Sequence, residues 1–271
     1  AAITGVLIQL SETSTGVLHP VREVARITRQ RDVLLVVDGI SAVGLSPCPL
    51  DEWGLDCLLT GSQKGLMLPP GLALLALSER AWEKAAGVTP GCFYFNLLKE
   101  REYVAKGQTL FTSAVNLIVG LDESLDMLLE NGLEAVYAKQ WALTMLTRAG
   151  VTAMGLDLFA PEHFAWGITS VLLPEGVDGT EVLRLALEKH GVCMAGGQDQ
   201  LKGRIVRIGH MGWVGRRAGR AVRSGPGPDG SGRFLRRARL SGTGHGRLPR
   251  GPGGQTGRVP AQSSDAQLGQ C

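Results

Sequence analysis

The chain has 271 residues, an apolar fraction of 44% and a net charge of +3, which suits one large globular domain, alone or with a small one. No apolar run has the length of a membrane helix, and the N-terminus does not read as a signal peptide, so neither a membrane nor an export route is expected. The charge is uneven: after position 214 there are eleven arginines, no lysine and two acids, Asp229 and Asp265, a local +9 that leaves residues 1–214 at −6.

The text opens without Met and becomes strand-like almost at once, so the chain reads as cut from something longer. Residues 5–10 predict a strand. Glu12-Thr13-Ser14-Thr15-Gly16 follows, a run of hydroxyls ending in glycine that either offers donors to a ligand or caps the next helix. Pro20 stands where a helix starts, and Val21, Val24, Ala25 and Thr28 continue at helical spacing. Val33 to Val37 is an aliphatic run of the kind covered on both faces in a parallel sheet. It ends in Asp38-Gly39, at the strand end where ligands gather in open α/β sheets; the alternative is a turn aspartate.

Cys57-Leu58-Leu59 predicts the next buried strand, and Gly61, Ser62 and Gly65 are turn formers around Lys64. Lysines are usually solvated on flexible stems. One held on a rigid tip beside glycines suits covalent work, because a desolvated amine loses its proton more easily and forms a Schiff base with an aldehyde. Asp38 and Lys64 are one strand–connector–strand unit apart, so neighbouring strands would bring carboxylate and amine to one sheet edge.

Leu72 to Leu77 predicts a third buried strand, and Ser78 caps a short helix to Ala86. Phe93-Tyr94-Phe95 reads as packing, and residues 108–113 as a polar loop. Helices are predicted over Ala114–Asn131, stopped by Gly132, and Leu133–Ala149, stopped by Gly150. Strands over 167–173, 192–195 and 204–208, with a helix capped by Asp178, predict a small α+β unit. Arg207 lies near the end of the last strand, where a guanidinium either grips a carboxylate through two parallel bonds or makes a surface ion pair. Residues 215–271 are Gly/Arg/Pro text without helical period, read as a disordered tail or a shifted reading frame. They lack stacking platforms, so nucleic acid is not an expected partner. Cys48, Cys57, Cys92, Cys193 and Cys271 have no metal or redox spacing, which predicts free thiols of a reducing cytoplasm and no metal site.

Ser62-Gln63-Lys64-Gly65, Val37-Asp38-Gly39, Glu12 to Gly16 and Arg207-Ile208-Gly209 fall in an order and spacing that resembles class V pyridoxal-phosphate aminotransferases, most of all the alanine–glyoxylate and serine–glyoxylate group. The resemblance covers about residues 3–214. It implies an α/β fold, type I of the pyridoxal-phosphate transferases. Residues 1–131 would then be part of the large cofactor-binding domain, with a mainly parallel sheet. Residues 132–214 would be a connecting helix and a small α+β C-terminal domain, with 215–271 a tail. It implies that Lys64 carries the cofactor and shuttles a proton, that Asp38 pairs with the pyridine nitrogen, and that Thr13 and Ile40 contact the ring. Gln63 would contact the phosphate, Thr109 the phosphate of a partner subunit in a homodimer, and Arg207 the substrate carboxylate. The substrates implied are a small amino acid, alanine or serine, and glyoxylate or a similar 2-oxo acid. The family's first third, with its glycine-rich phosphate loop and stacking aromatic, is not in this sequence. Two other readings stand beside the transaminase: an inactive truncated or frameshifted remnant, and a cysteine desulfurase, although that group places His where Gln63 stands.

Overall fold

The computed structural model describes residues 3–212 and Val214. The expectations for residues 215–271 lie outside the described residues. Strand β1 (Gly5–Gln9) is followed by a hairpin of two short strands, β2 (Ser11–Glu12) and β3 (Val17–Leu18), then helix α1 (Val21–Gln30) and β4 (Leu34–Asp38). A single turn, α2 (Leu50–Trp53), leads to β5 (Cys57–Gly61), β6 (Ala73–Leu77), α3 (Glu79–Ala86) and α4 (Leu97–Val104). The long helices α5 (Val115–Leu129) and α6 (Leu133–Ala153) lead to β7 (Ile168–Leu172), α7 (Gly179–His190), β8 (Ala195–Gly196) and β9 (Ile205–Gly209).

The first sheet has the order β1-β4-β5-β6. Its first three strands run parallel, and their register puts Gln9 beside Asp38 and Asp38 beside Leu59. Parallel neighbours need a crossover between them; α1 and α2 occupy those connections. Alternation along β4 sends Leu35 and Val37 into a core with Leu10, Val21, Ala25, Ala42 and Leu55. Burial of that apolar surface is the main favourable term for this half of the chain. A second sheet, β7-β9-β8, is antiparallel throughout. Its core is Val151 of α6 with Val171 and Val206, and Leu183 of α7 packs against it. Two of the helix caps read from the sequence are made: Ser78 Oγ accepts from the N–H of Ala81, and Asp178 Oδ1 from that of Thr180.

Three expectations need correction. The apolar run at β6 is not buried on both faces: it is the antiparallel edge of the sheet, with Leu75 44% exposed. Apolar continuity is read as two-sided cover only when neighbours supply it. Phe93-Tyr94-Phe95 does pack, on itself and on Phe111, although Phe93 and Phe95 stand 77% and 79% exposed. There Tyr94 stacks on Phe111 at 4.4 Å and meets Phe95 edge-on. Gly150 does not stop α6, which continues to Ala153 because Val151 is needed in the second core. The strand expected over 192–195 shrinks to Ala195–Gly196.

At the amino ends of the parallel strands lies a saturated ion cluster. Asp56 is 1% exposed, takes the N–H of Leu35 on Oδ2, the Ser78 hydroxyl on Oδ1, and both Nε and Nη2 of Arg80. Burial pushes its carboxyl up, but the Arg80 hydrogen bonds, the Leu35 N–H and the arginine's charge outweigh it and hold the pKa below the usual range.

Candidate functional site

The opposite edge of the same sheet is built from glycine. The N–H of Gly39, just past β4, donates to Leu59 O of β5 at 2.8 Å. A Cβ at Gly39 would meet Leu58 Cδ1 at 2.8 Å and Val43 Cγ2 at 3.0 Å, so a larger residue there would have to push these two side chains aside. The next loop and the loop carrying Lys64 touch backbone to backbone. A Cβ on Gly65 would lie 2.2 Å from Val43 O, and one on Gly44, at a φ of 76°, would lie 3.2 Å from Gly65 C. Two glycines thus lock the turn after Asp38 against the turn after Lys64. The Lys64 turn is further held by Met67 N–H to Lys64 O and Leu68 N–H to Ser62 O, and by the Ser62 hydroxyl donating to Pro69 O at 2.7 Å.

Within this frame Asp38 is half-buried and uses one oxygen: Oδ1 accepts from the N–H of Ile40 at 2.8 Å. Among the described residues its Oδ2 has no protein partner. Lys64 is half-buried, and its Nζ likewise has no hydrogen-bond or ion-pair partner among the described residues. Gln63 is exposed and folds back over the end of β5, where its Oε1 would lie 2.6 Å from a Cβ on Gly61.

The hydroxyl run forms the β2–β3 hairpin. Glu12 accepts the Ser14 N–H at 2.7 Å and the Gln9 side-chain amide at 2.7 Å. The Ser14 N–H chiefly, helped by the Gln9 amide, keeps its carboxyl below the usual range despite partial burial. Thr13 Oγ1 lies 2.5 Å from Ser41 Oγ, in the turn that follows Asp38. Its main-chain oxygen accepts Nη1 of Arg207 at 2.7 Å, and Arg207 Nε donates to Gly196 O at 2.7 Å. Arg207 therefore makes no surface ion pair in the described residues. Both its bonds go to carbonyls, and the Nη2 group is left over.

The hairpin also joins the second sheet's side through the backbone. Val17 bridges Phe164, Leu18 N–H donates to His163 O at 2.6 Å and Ala165 N–H to Gly16 O at 2.8 Å. Arg148 of α6 holds that segment, donating to Ala160 O and Pro161 O while its guanidinium covers the Phe164 ring at 3.6 Å. Thr13, Ile40, Asp38, Lys64 and Arg207 are thereby linked around the carboxyl edge of the first sheet. Thr109 is not joined to them: it is exposed, on the segment between α4 and α5.

Sequence reasoning passed over Ser41, Gly44 and a buried cluster just past Arg207. In that cluster His210 contacts Gln140 Nε2 through Nδ1 at 3.1 Å and Thr169 Oγ1 through Nε2 at 3.0 Å. Burial lowers the His210 pKa to about 4, so the ring is neutral at neutral pH. No sequence period marks these residues, since each matters through a partner far along the chain.

The family model for aminotransferase class V matches residues 3–214. A serine–glyoxylate aminotransferase of Methylorubrum extorquens is 36% identical over 219 residues, 78% of this chain and 54% of the relative. A soluble hydrogenase small subunit of a Synechococcus species is 40% identical over 213 residues, 78% of this chain and 56% of the relative. Among solved structures, an alanine–glyoxylate aminotransferase of a Nostoc species superposes with a TM-score of 0.76 at 29% identity, covering 81% of this chain and 60% of that one. The chain spans about half the length of the curated relatives it matches.

Proposed function

The chain belongs to the class V aminotransferase family, with the type I fold of pyridoxal-phosphate enzymes, and from that premise we propose that it transfers an amino group from a small amino acid, alanine or serine, to glyoxylate or a similar 2-oxo acid. The observation that carries the reading is the shared edge. Asp38 lies beside Leu59 in the parallel register, on the strand that leads into Lys64, and the glycine contact between the two loops fixes them together.

The class V family uses pyridoxal phosphate, and the donor set at this edge fits that cofactor. A half-buried amine without a protein partner among the described residues suits an aldehyde. A carboxylate whose Oδ2 has no protein partner among the described residues suits a protonated ring nitrogen. When bound, the cofactor supplies an electron sink for the bonding pair of the substrate's α-carbon. Lys64 Nζ would hold the cofactor through its aldehyde and, once released, would move the proton at the substrate's Cα. Asp38 would keep the ring nitrogen protonated. Thr13 and Ile40 would bear on the ring, and Gln63 and Thr109 would contact the phosphate. Arg207, fixed by two carbonyls and with Nη2 to spare, grips the substrate carboxylate. In this division residues 1–131 provide the cofactor side, and residues 132–214 the connecting helix and the substrate arginine.

Serine–glyoxylate and alanine–glyoxylate aminotransferases among the relatives support the choice of substrates. The exposed aromatic group of Phe93, Tyr94 and Phe95, which stacks on Phe111 close to Thr109 in the chain, supports a homodimer. Four free cysteines among the described residues support the cytoplasm as the site of action. No helix among the described residues is long and apolar enough to cross a membrane. The test is glycine formation from glyoxylate with L-alanine or L-serine. Activity with either donor that vanishes in Lys64→Ala supports the reading. Equal activity in Lys64→Ala, or none with either donor while the cofactor is bound, refutes it.

A further inference from the structure

Ser41 has no part in the reaction as assigned, yet it joins the groups that do. It is 4% exposed, in the turn after β4, and its backbone is fixed on both sides. Gly39 N–H is held by Leu59 O, and Ala42 and Val43 N–H groups return to Gly39 O. Its Oγ lies 2.5 Å from Thr13 Oγ1, and the main-chain oxygen of Thr13 accepts Arg207 Nη1 at 2.7 Å. We propose that Ser41 is a positioning residue for recognition of the substrate carboxylate: acting through Thr13, it fixes the guanidinium of Arg207. This rests on the assignment of Arg207 to that carboxylate.

The guanidinium plane is set by two carbonyls. One, Gly196 O, belongs to the arginine's own sheet; the other belongs to the hairpin. The far end of the hairpin is tied to residues 163–165 through Gly16, Val17 and Leu18. Thr13 lies before those ties, and its side chain has one described bond, to Ser41. The neighbour that faces Arg207 across the strands, Ser170, gives no help, because its hydroxyl is buried without a hydrogen-bond partner among the described residues. Without the Ser41 hydroxyl, the Thr13 hydroxyl loses its partner, and the carbonyl that takes Arg207 Nη1 is held only by its own turn, through Gly16 N–H on Glu12 O and Ser14 N–H on the Glu12 carboxylate. A carboxylate taken by two parallel N–H bonds is sensitive to a small turn of the fork. The contacts of Lys64 and Asp38 do not pass through this chain of bonds, and of the groups assigned to the cofactor only Thr13 does, so amino-acid affinity should fall well beyond cofactor affinity.

The full chain loaded with pyridoxal phosphate is titrated with L-alanine and L-serine, following the visible spectrum. Ser41→Ala is expected to weaken amino-acid affinity about tenfold while leaving cofactor affinity within about twofold. Added to Thr13→Val it should cost nothing more, because the two hydroxyls act as one unit. If Ser41→Ala fails to fold, Ser41→Cys carries the comparison, since it keeps nearly the same volume but is a poor hydrogen-bond partner. A readout independent of substrate is exchange of the Arg207 Nη1 protons, which donate to Thr13 O, identified by their absence in Arg207→Lys; it should be about tenfold faster in Ser41→Ala, while the Nε–H on Gly196 O is unchanged. Unchanged exchange, unchanged amino-acid affinity, or a parallel loss of cofactor affinity overturns the proposal. If Arg207→Lys leaves amino-acid affinity untouched while Ser41→Ala still speeds that exchange, the failure lies in the assignment of Arg207, and the role of Ser41 in recognition falls with it.

Discussion

Two aspartates sit on neighbouring strands of one sheet and have opposite fates. Asp56, at the amino end of β5, is enclosed, and both its oxygens are engaged by Leu35, Ser78 and Arg80. Asp38, at the carboxyl end of β4, gives one oxygen to its own turn, and its other oxygen has no partner among the described residues. The same contrast holds for the cations: Arg80 bonds Asp56, Asp32 and Val33 O, whereas Lys64 Nζ is unpartnered among the described residues. A charge engaged on all sides holds the fold, and a charge left half-engaged on a rigid edge is available for chemistry. The carboxyl edge is rigid because glycines let backbones touch there, not because its charges are paired.

The contrast can be broken from either end. The largest effect expected is at Lys64: Lys64→Ala should abolish transamination while changing stability by no more than about 0.5 kcal/mol, as for a substitution that removes no packed or paired group. Activity assays and chemical denaturation of the same sample check both halves. At the other edge, Asp56→Ala should cost about 3 kcal/mol, because it leaves Arg80 partly buried without its main partner; denaturant midpoints measure it. A similar loss from Asp38→Ala would erase the distinction between the two aspartates.

Acid sharpens the comparison. The folded-state pKa of His210 is lowered to about 4, below the ordinary 6.5. The unfolded chain therefore binds the proton first, and stability falls as the pH drops from about 6.5 towards 4, by about 3 kcal/mol at most. Asp56, whose folded pKa is also depressed, adds a further loss at lower pH, below the ordinary carboxylate range. Unfolding midpoints followed against pH should show the first step, and His210→Gln should flatten it. Gly65→Ala is expected to cost about 2 kcal/mol through the clash with Val43 O, with loss of cofactor binding, since the two loops must part. The smallest effect, about 1 kcal/mol, belongs to Asp178→Ala, which removes a helix cap remote from both edges.

Much of this was legible in the sequence because it is local. The aliphatic run ending in Asp38-Gly39, the strand before Ser62-Gln63-Lys64-Gly65, and the caps at Ser78 and Asp178 all depend on adjacent residues. What escaped depends on distant ones. The cover of β6 is decided by what lies beside it, so Leu72 to Leu77 looked buried and is not. Ser41 gains its meaning from Thr13, and His210 from Gln140 and Thr169. Gly150 reads as a stop, but the demand for Val151 in the second core overrides it.

The most direct measurement is the site of covalent capture. Pyridoxal phosphate is added to the purified chain, borohydride fixes any bond formed, and mass spectrometry locates the added mass. The expected result is one label, on the peptide that contains Lys64, lost in Lys64→Ala and weakened in Asp38→Ala but not in a variant of surface Lys99. A label spread over exposed lysines, or one that persists at full yield elsewhere without Lys64, would contradict the assignment of this edge to the cofactor.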